Sequence, residues 1–226
     1  MKNMVVGIEG LVGSGKTSIC RELLNYIPNS VILHGGNLYR GIIYALMNSS
    51  TDINLENLKN KVENIDIKDL MNLLKVEFKI ENRETVIYVN NVKINEEILQ
   101  SQNASMAVSI ASGHANNLAF YNFANRLIEF YKSKFNVIVS GRDLMKIYPK
   151  LDYHFFIEAD LEERVRRKLL QYNNSNYDEI KQNIIKRDEL QKQNGYYTIY
   201  DNTIRVDVTK CKSIKESTLK VLKHIK

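Results

Sequence analysis

Gly10-Leu11-Val12-Gly13-Ser14-Gly15-Lys16-Thr17 satisfies the phosphate-binding pattern G-x-x-x-x-G-K-S/T at every required position. The apolar run Met4-Val5-Val6-Gly7-Ile8 before it reads as a buried strand, and Ile19, Leu23 and Leu24 after it recur at helical spacing. A loop between a strand and a helix is the setting this pattern requires, so the chain reads as one that handles nucleoside triphosphates. Gly10, Gly13 and Gly15 allow backbone angles and close approach that a Cβ would block, which lets successive amides turn toward phosphate oxygens. The following helix adds its positive end. Lys16 places a compact charge near the β- and γ-phosphates, and the Thr17 hydroxyl suits a Mg²⁺ that bridges them. Ser14 and Ser18 belong to the same nucleotide-binding segment.

A chain of 226 residues can bury one substantial core with room for a small insertion, so a single domain over 1–226 is expected. No uninterrupted apolar stretch approaches the ~20 residues that span a bilayer, and the N-terminus runs straight into the loop-bearing strand, so a cytoplasmic protein without membrane partners is expected. Cys20 and Cys211 stand far apart with no C-x-x-C or Cys/His cluster, which points to reduced, packed thiols. The net charge of +6 fits either a nucleic-acid surface or arginines serving a small anion. Lysines 210, 212, 215, 220, 223 and 226 interleave with Ile214, Leu219, Val221, Leu222 and Ile225, the pattern of an amphipathic terminal helix with a solvated face. Arg40, Arg142, Arg164, Arg166, Arg167 and Arg187 stand at element ends and in a cluster, where planar guanidiniums suit bidentate phosphate contact. Small nucleotides rather than nucleic acid are the expected partners, on a monomer.

Further strands are predicted at Val31–His34, Phe135–Val139, Tyr153–Ile157 and Ile204–Asp207, with helices between them, starting near Asn37, Gly113 and Asp178 and after the Asp160 cap. Alternating strands and helices imply an α/β fold with a parallel five-stranded sheet covered on both faces. Residues 52–74 carry helical spacing, and 75–94 carry three β-like runs. We read 50–112 as an inserted acceptor-binding subdomain, its hairpin set apart from the central sheet, and 168–178 as a short lid. Tyr196 and Tyr197 read as core packing.

The order of motifs resembles the cytidylate kinase family of nucleoside monophosphate kinases. The matching segments are IEGLVGSGKTS at the phosphate loop, GGNLYRG at 35–41, VNNVKINEEI at 89–98, VSGRD at 139–143, FIEADLEERVRRK at 156–168 and EIKQNIIKRD at 179–188. The resemblance implies a P-loop kinase core, ATP as co-substrate with Mg²⁺, and CMP or dCMP as the acceptor. By the same resemblance Arg40 and Arg142 would hold the acceptor's phosphate beside Gly36 and Tyr39. Asp143 would hydrogen-bond in that pocket, Arg187 would reach the acceptor or the transferred phosphate, and Arg164 and Arg167 would come from the lid arm. With Lys16 these make the expected catalytic set, since phosphoryl transfer between phosphates needs charge neutralisation more than proton abstraction. The plainer alternatives are a helix-capping Arg40, an Arg142–Asp143 ion pair, and lid arginines paired with Glu162 or Glu163.

The acceptor pocket departs from the family pattern. Family members carry an acidic residue and then Ser or Thr where His34 and Gly35 stand, and an Asp where Ser140 stands. The acidic and basic positions after the Arg187-Asp188 pair, which the family pattern expects to recognise sugar and cytosine, are Gln191 and Asn194, and the arginine expected in the long helix falls near Leu118. Two other functions fit these departures: a kinase acting on a hydroxyl with Asp143 or Glu9 as general base, and a nucleotide-binding protein with lost transfer activity.

Overall fold

The computed structural model describes residues 3–49, 57–58, 75–101, 104, 106–108, 117–171 and 176–226. The strand before the glycine-rich loop is β1 (Val5–Gly10), buried along its whole length. It pairs in parallel with β6 (Asn136–Ser140) on one side and β7 (Tyr153–Glu158) on the other. β2 (Ser30–His34) extends the sheet beyond β6, and β8 (Thr203–Asp207) extends it beyond β7. These five parallel strands match the alternation read from the sequence.

Both faces are covered, which explains why the strands read as continuous apolar runs rather than alternating ones. Successive residues point to opposite faces. Val5, Val31, Leu33, Val137 and Val139 pack against α2 (Gly35–Ser49), α4 (Asn117–Lys132) and α5 (Leu144–Ile147), through Leu38, Ile42, Ile128 and Leu144. Val6, Ile8, Ile32 and Ile138 face α1 (Lys16–Leu23) and α8 (Ile214–Leu222), through Ile19, Leu23 and Val221. Cys20 and Cys211 are buried in this second layer, and burial pushes the Cys20 thiol up to about 12, so both cysteines pack as expected. α6 (Leu161–Gln171) and α7 (Tyr177–Gln193) follow β7, and Val165, Ile180 and Ile184 bury Val12 of the loop between them. The side chain of Asn176 caps α7 by accepting the Asp178 amide at 2.8 Å, and Gly195, at φ 75°, ends the helix region. The helical residues expected over 52–74, except Leu58, the start of the long helix at 113–116 and the lid tip at 172–175 lie outside the described residues.

The sheet itself corrects the sequence reading: it has eight strands, not five. The hairpin of β3 (Glu77–Glu81) and β4 (Glu84–Val89), with β5 (Val92–Lys93) antiparallel to β4, joins the edge of β2 instead of standing apart. Asn82 and Arg83 both take positive φ (49° and 67°), the geometry of a tight two-residue hairpin turn. That turn docks on β2: the Ile32 amide donates to the Arg83 carbonyl at 2.8 Å, and the Arg83 guanidinium donates to the carbonyl and hydroxyl oxygens of Ser30. Short-range alternation predicts a hairpin but not what its edge meets, so this pairing was invisible in the sequence.

A charged chain reinforces the junction. Glu84 accepts from Arg21 at 2.9 Å and lies 2.7 Å from His34 Nε2, while Arg21 also donates to Glu96 of α3 (Glu96–Gln100) at 2.7 Å. Burial alone would favour the neutral Glu84 acid, but hydrogen bonds from His34 and Arg21 outweigh it and hold the carboxyl at about 2. A carboxyl depressed on folding adds stability above its unfolded value, and that stability disappears as pH falls through the folded one. Glu84→Gln is therefore expected to lower the melting temperature above pH 5, with the gap closing between pH 4.5 and about 2 in thermal melts. A gap that stays constant over that range would show that the Glu84 charge contributes nothing.

Candidate active site

The C-terminal ends of β1, β2 and β6 open onto a cleft of about 540 Å³. The glycine-rich loop forms its floor. Gly10, Gly13 and Gly15 have φ of 144°, 77° and 94°, and a Cβ on Gly10 would fall 2.1 Å from the Ile157 carbonyl oxygen. Glycine is thus required at position 10 by both angle and space. The amides of Gly13, Gly15, Lys16 and Thr17 make no hydrogen bond to any described residue. The outer side of the loop is tied down: the Leu11 amide donates to the Ile157 carbonyl (3.1 Å) and the Val12 amide to Asp188 Oδ1 (3.1 Å). The Val12 carbonyl accepts from Arg164 Nη1 and the Ser14 carbonyl from Arg167 Nη1, both at 3.0 Å. Ser14 is fully buried, its hydroxyl without a partner.

Lys16 Nζ donates to the carbonyls of Gly10 (2.9 Å) and Leu11 (2.7 Å), so the ammonium arches over the loop. Burial, followed by the charge of Arg142, pushes its pKa well below the usual lysine range. Arg21, Arg40, Arg142, Arg167, Lys168 and Arg187 also line the cleft; among the described residues of the lining the one carboxylate is Glu96, which Arg21 engages. Burial and then the charges of Arg187 and Arg40 bring Lys168 down to about 8. Such a concentration of cationic side chains is the chemistry that suits a phosphate-bearing anion.

The site residues expected from the sequence divide into two groups. Gly13, Gly15, Lys16, Thr17, Ser18, Gly36, Arg40, Arg142, Arg167 and Arg187 come together around the cleft. Gly10, Ser14, Tyr39, Asp143 and Arg164 are not part of its lining. Arg164 is buried in an ion pair with Asp188, which ties α6 and α7 to the loop. Asp143, at φ 56°, accepts hydrogen bonds from the Tyr121 hydroxyl and Lys146. Arg142 makes no ion pair with it; Arg142 Nε instead donates to Gln191 Oε1. Tyr39 stacks on Phe120 with ring centroids 4.2 Å apart, its hydroxyl enclosed and unpartnered. Arg166 is the plain surface partner of Glu163. The sequence reading missed Asn37, Glu96 and Lys168 in the lining, and Tyr197 joins Arg142 through Gln191 rather than only packing. Nothing local marks these residues; a side chain two helices away in sequence reaches the cleft only once α6 and α7 fold over it.

The profile of the cytidylate kinase family matches residues 6–226. The chain belongs to that family, a family of phosphotransferases. It is 27% identical over 240 residues to the cytidylate kinase of Clostridioides difficile (strain 630), covering 100% of this chain and 99% of that one. It is 28% identical over 229 residues to the cytidylate kinase of Mycoplasmopsis synoviae (strain 53), covering 98% and 97%. Among solved structures, an uncharacterized protein from Eubacterium ventriosum ATCC 27560 aligns over 99% of this chain and 98% of its own, with TM-score 0.50 and 12% identity, a likeness of fold alone. No helix among the described residues is long and apolar enough to cross a membrane.

Two measurements test how this cytidylate kinase family site is held and charged. Asp188→Ala strands the buried Arg164 guanidinium and frees the Val12 amide, and is expected to cost about 3–5 kcal/mol in urea unfolding; a loss under about 1 kcal/mol would remove the pair from the loop's support. Pyrophosphate affinity, measured calorimetrically, should fall as pH rises through about 8, and Lys168→Met should remove part of that fall. An unchanged pH profile in the variant would place the titration elsewhere.

Proposed function

We propose that the protein transfers the γ-phosphoryl group of ATP to a nucleoside monophosphate, with CMP and dCMP as the first acceptors to test. The observation that carries this is the double anion site: unpaired loop amides with Lys16 on one side, and Arg40, Arg142 and Arg187 on the other, lining one cleft. The loop would take the triphosphate, and the arginines the acceptor's phosphate. In this reading transfer is positioning plus charge neutralisation, because the acceptor oxygen is already ionised.

The loop fits ATP on this structure's own geometry, since glycines at positive φ turn a run of amides that no described residue accepts toward the cleft. Mg²⁺ fits through Thr17 and the nucleotide's phosphates. The cleft offers no further unengaged carboxylate, and no group of three or more His, Cys, Asp or Glu residues among the described ones could hold an ion. When bound, the ion would offset charge on the bridging phosphate oxygens. The 50–112 insertion would present the acceptor, and the segment at 168–178 would close over the donor.

A hydroxyl acceptor would need a base, and the two candidates are already engaged. Glu9 accepts the amides of Asp143 (3.2 Å) and Leu144 (2.6 Å) and lies 3.1 Å from His154 Nε2, all inside the core. Asp143 is held by Tyr121 and Lys146. Neither carboxylate lines the cleft.

Pure protein incubated with ATP, Mg²⁺ and a panel of nucleoside monophosphates and nucleosides should form ADP with CMP or dCMP well above background hydrolysis. Turnover with nucleosides alone would overturn the proposal. Lys16→Ala should reduce transfer by at least about 10³-fold, and Arg40→Ala should raise the acceptor KM while ATP affinity stays within about twofold. Equal loss of both substrates in Arg40→Ala would remove that residue from the acceptor side.

A further inference from the structure

Gln191 lies on α7, almost fully buried, with its side chain on the wall of the cleft. Arg142 Nε, which can only donate, is 2.6 Å from one end of the Gln191 carboxamide, so that end is the oxygen, Oε1. The Tyr197 hydroxyl is 3.0 Å from the same oxygen and 2.6 Å from Asp188 Oδ1, with one proton to share between them. The oxygen is therefore committed to the protein. The amide nitrogen is not: no described residue accepts from it, and it is absent from the enclosed polar atoms without partners, so on this cleft-lining residue it keeps exposure and is left to donate to a ligand.

Arg142 is fixed by the same contact. Its Nη1 donates to the Gly141 carbonyl at 3.0 Å, and its guanidinium carbon lies 5.7 Å from the Tyr197 ring centroid. With Nε and one Nη1 hydrogen used, the Nη2 edge remains for a ligand. A carboxylate at position 191 would hold Arg142 in the same way but would cancel its charge; a carboxamide holds it and cancels nothing. A carboxylate could also only accept, whereas this nitrogen can only donate.

We propose that Gln191 is the positioning and specificity residue of the acceptor site, holding Arg142 edge-on and adding its own N–H groups to a composite donor surface for an anionic oxygen. This deepens the phosphoryl-transfer reading and rests on it for the identity of the acceptor, a monophosphate gripped through its phosphate. The surface belongs to a longer hydrogen-bonded chain, from Arg142 through Gln191, Tyr197 and Asp188 to the Val12 amide of the phosphate loop. Gln191 thus sets the distance between the two anion sites as well as the charge of one of them.

The test uses the full chain and two substitutions of nearly equal size. Gln191→Glu keeps an oxygen for Arg142 Nε but replaces the donor nitrogen with negative charge; Gln191→Met keeps volume and charge but removes every hydrogen bond. Gln191→Glu should raise the acceptor KM about tenfold or more and weaken inorganic phosphate binding similarly, with ATP affinity within about twofold. Gln191→Met should lower kcat more than it raises KM, because Arg142 stays charged but loses its orientation. Wild-type acceptor KM and phosphate affinity in Gln191→Glu would overturn the proposal. So would equal loss of ATP and phosphate binding in both variants, which would mark Gln191 as structural. If the wild-type protein turns over no monophosphate, the phosphoryl-transfer reading fails, and the phosphate titrations still decide the role of Gln191.

Discussion

A loop that keeps four amides unpaired is stable only if the rest of its main chain is anchored, and in this protein the anchors come from far along the sequence. Asp188 takes the Val12 amide, Arg164 and Arg167 take the carbonyls of Val12 and Ser14, and the end of β7 takes the Leu11 amide. Amides that face the open cleft have only solvent to replace when an anion arrives, so a loop held in this shape meets its ligand without rearranging. Remove the anchors and the loop could pair its amides with its own carbonyls. The two helices after β7 therefore do more than cover the cleft, since they keep its floor open.

The same logic governs the charges. Among the described residues seven cationic side chains share one cleft with a single carboxylate, and burial first, then the neighbouring positive charges, depress Lys16 and Lys168. The protein limits the repulsion among these cations by hydrogen-bonding several of them to neutral oxygens. Lys16 rests on two loop carbonyls, Arg142 on Gln191 and Gly141, and Arg167 on Ser14 and Val208, although Glu163 also engages Arg167. Carbonyl and carboxamide oxygens orient a cation without neutralising it. At the rim of the same cleft, the hairpin is fastened by Arg21, Glu84, His34 and Glu96, where opposite charges do pair.

Much of this was legible in one dimension. The glycine-rich loop, the five parallel strands and the arginines at element ends follow from local chemistry: backbone freedom at particular glycines, apolar runs of strand length, and guanidiniums at strand-to-helix turns. The failures share a cause. The hairpin at 77–89 was read as separate, yet it joins β2 through Ile32 and Arg83, because main-chain edges carry no sequence mark of their partner. Tyr197 was read as packing, and Asp188 was not singled out at all, because their roles depend on which loop their helix folds against.

The residue order alone determined the glycine-rich loop between β1 and α1, because that loop is a local object built from eight consecutive residues. Tertiary structure alone decided which cationic and amide side chains share the cleft with that loop. Arg40, Arg142, Arg187 and Gln191 meet only when α2, the end of β6 and α7 converge, and hydrogen-bond direction between Arg142 and Gln191 exists only at that meeting. Contacts over such sequence separations are set by packing of whole layers, which no short window of residues encodes.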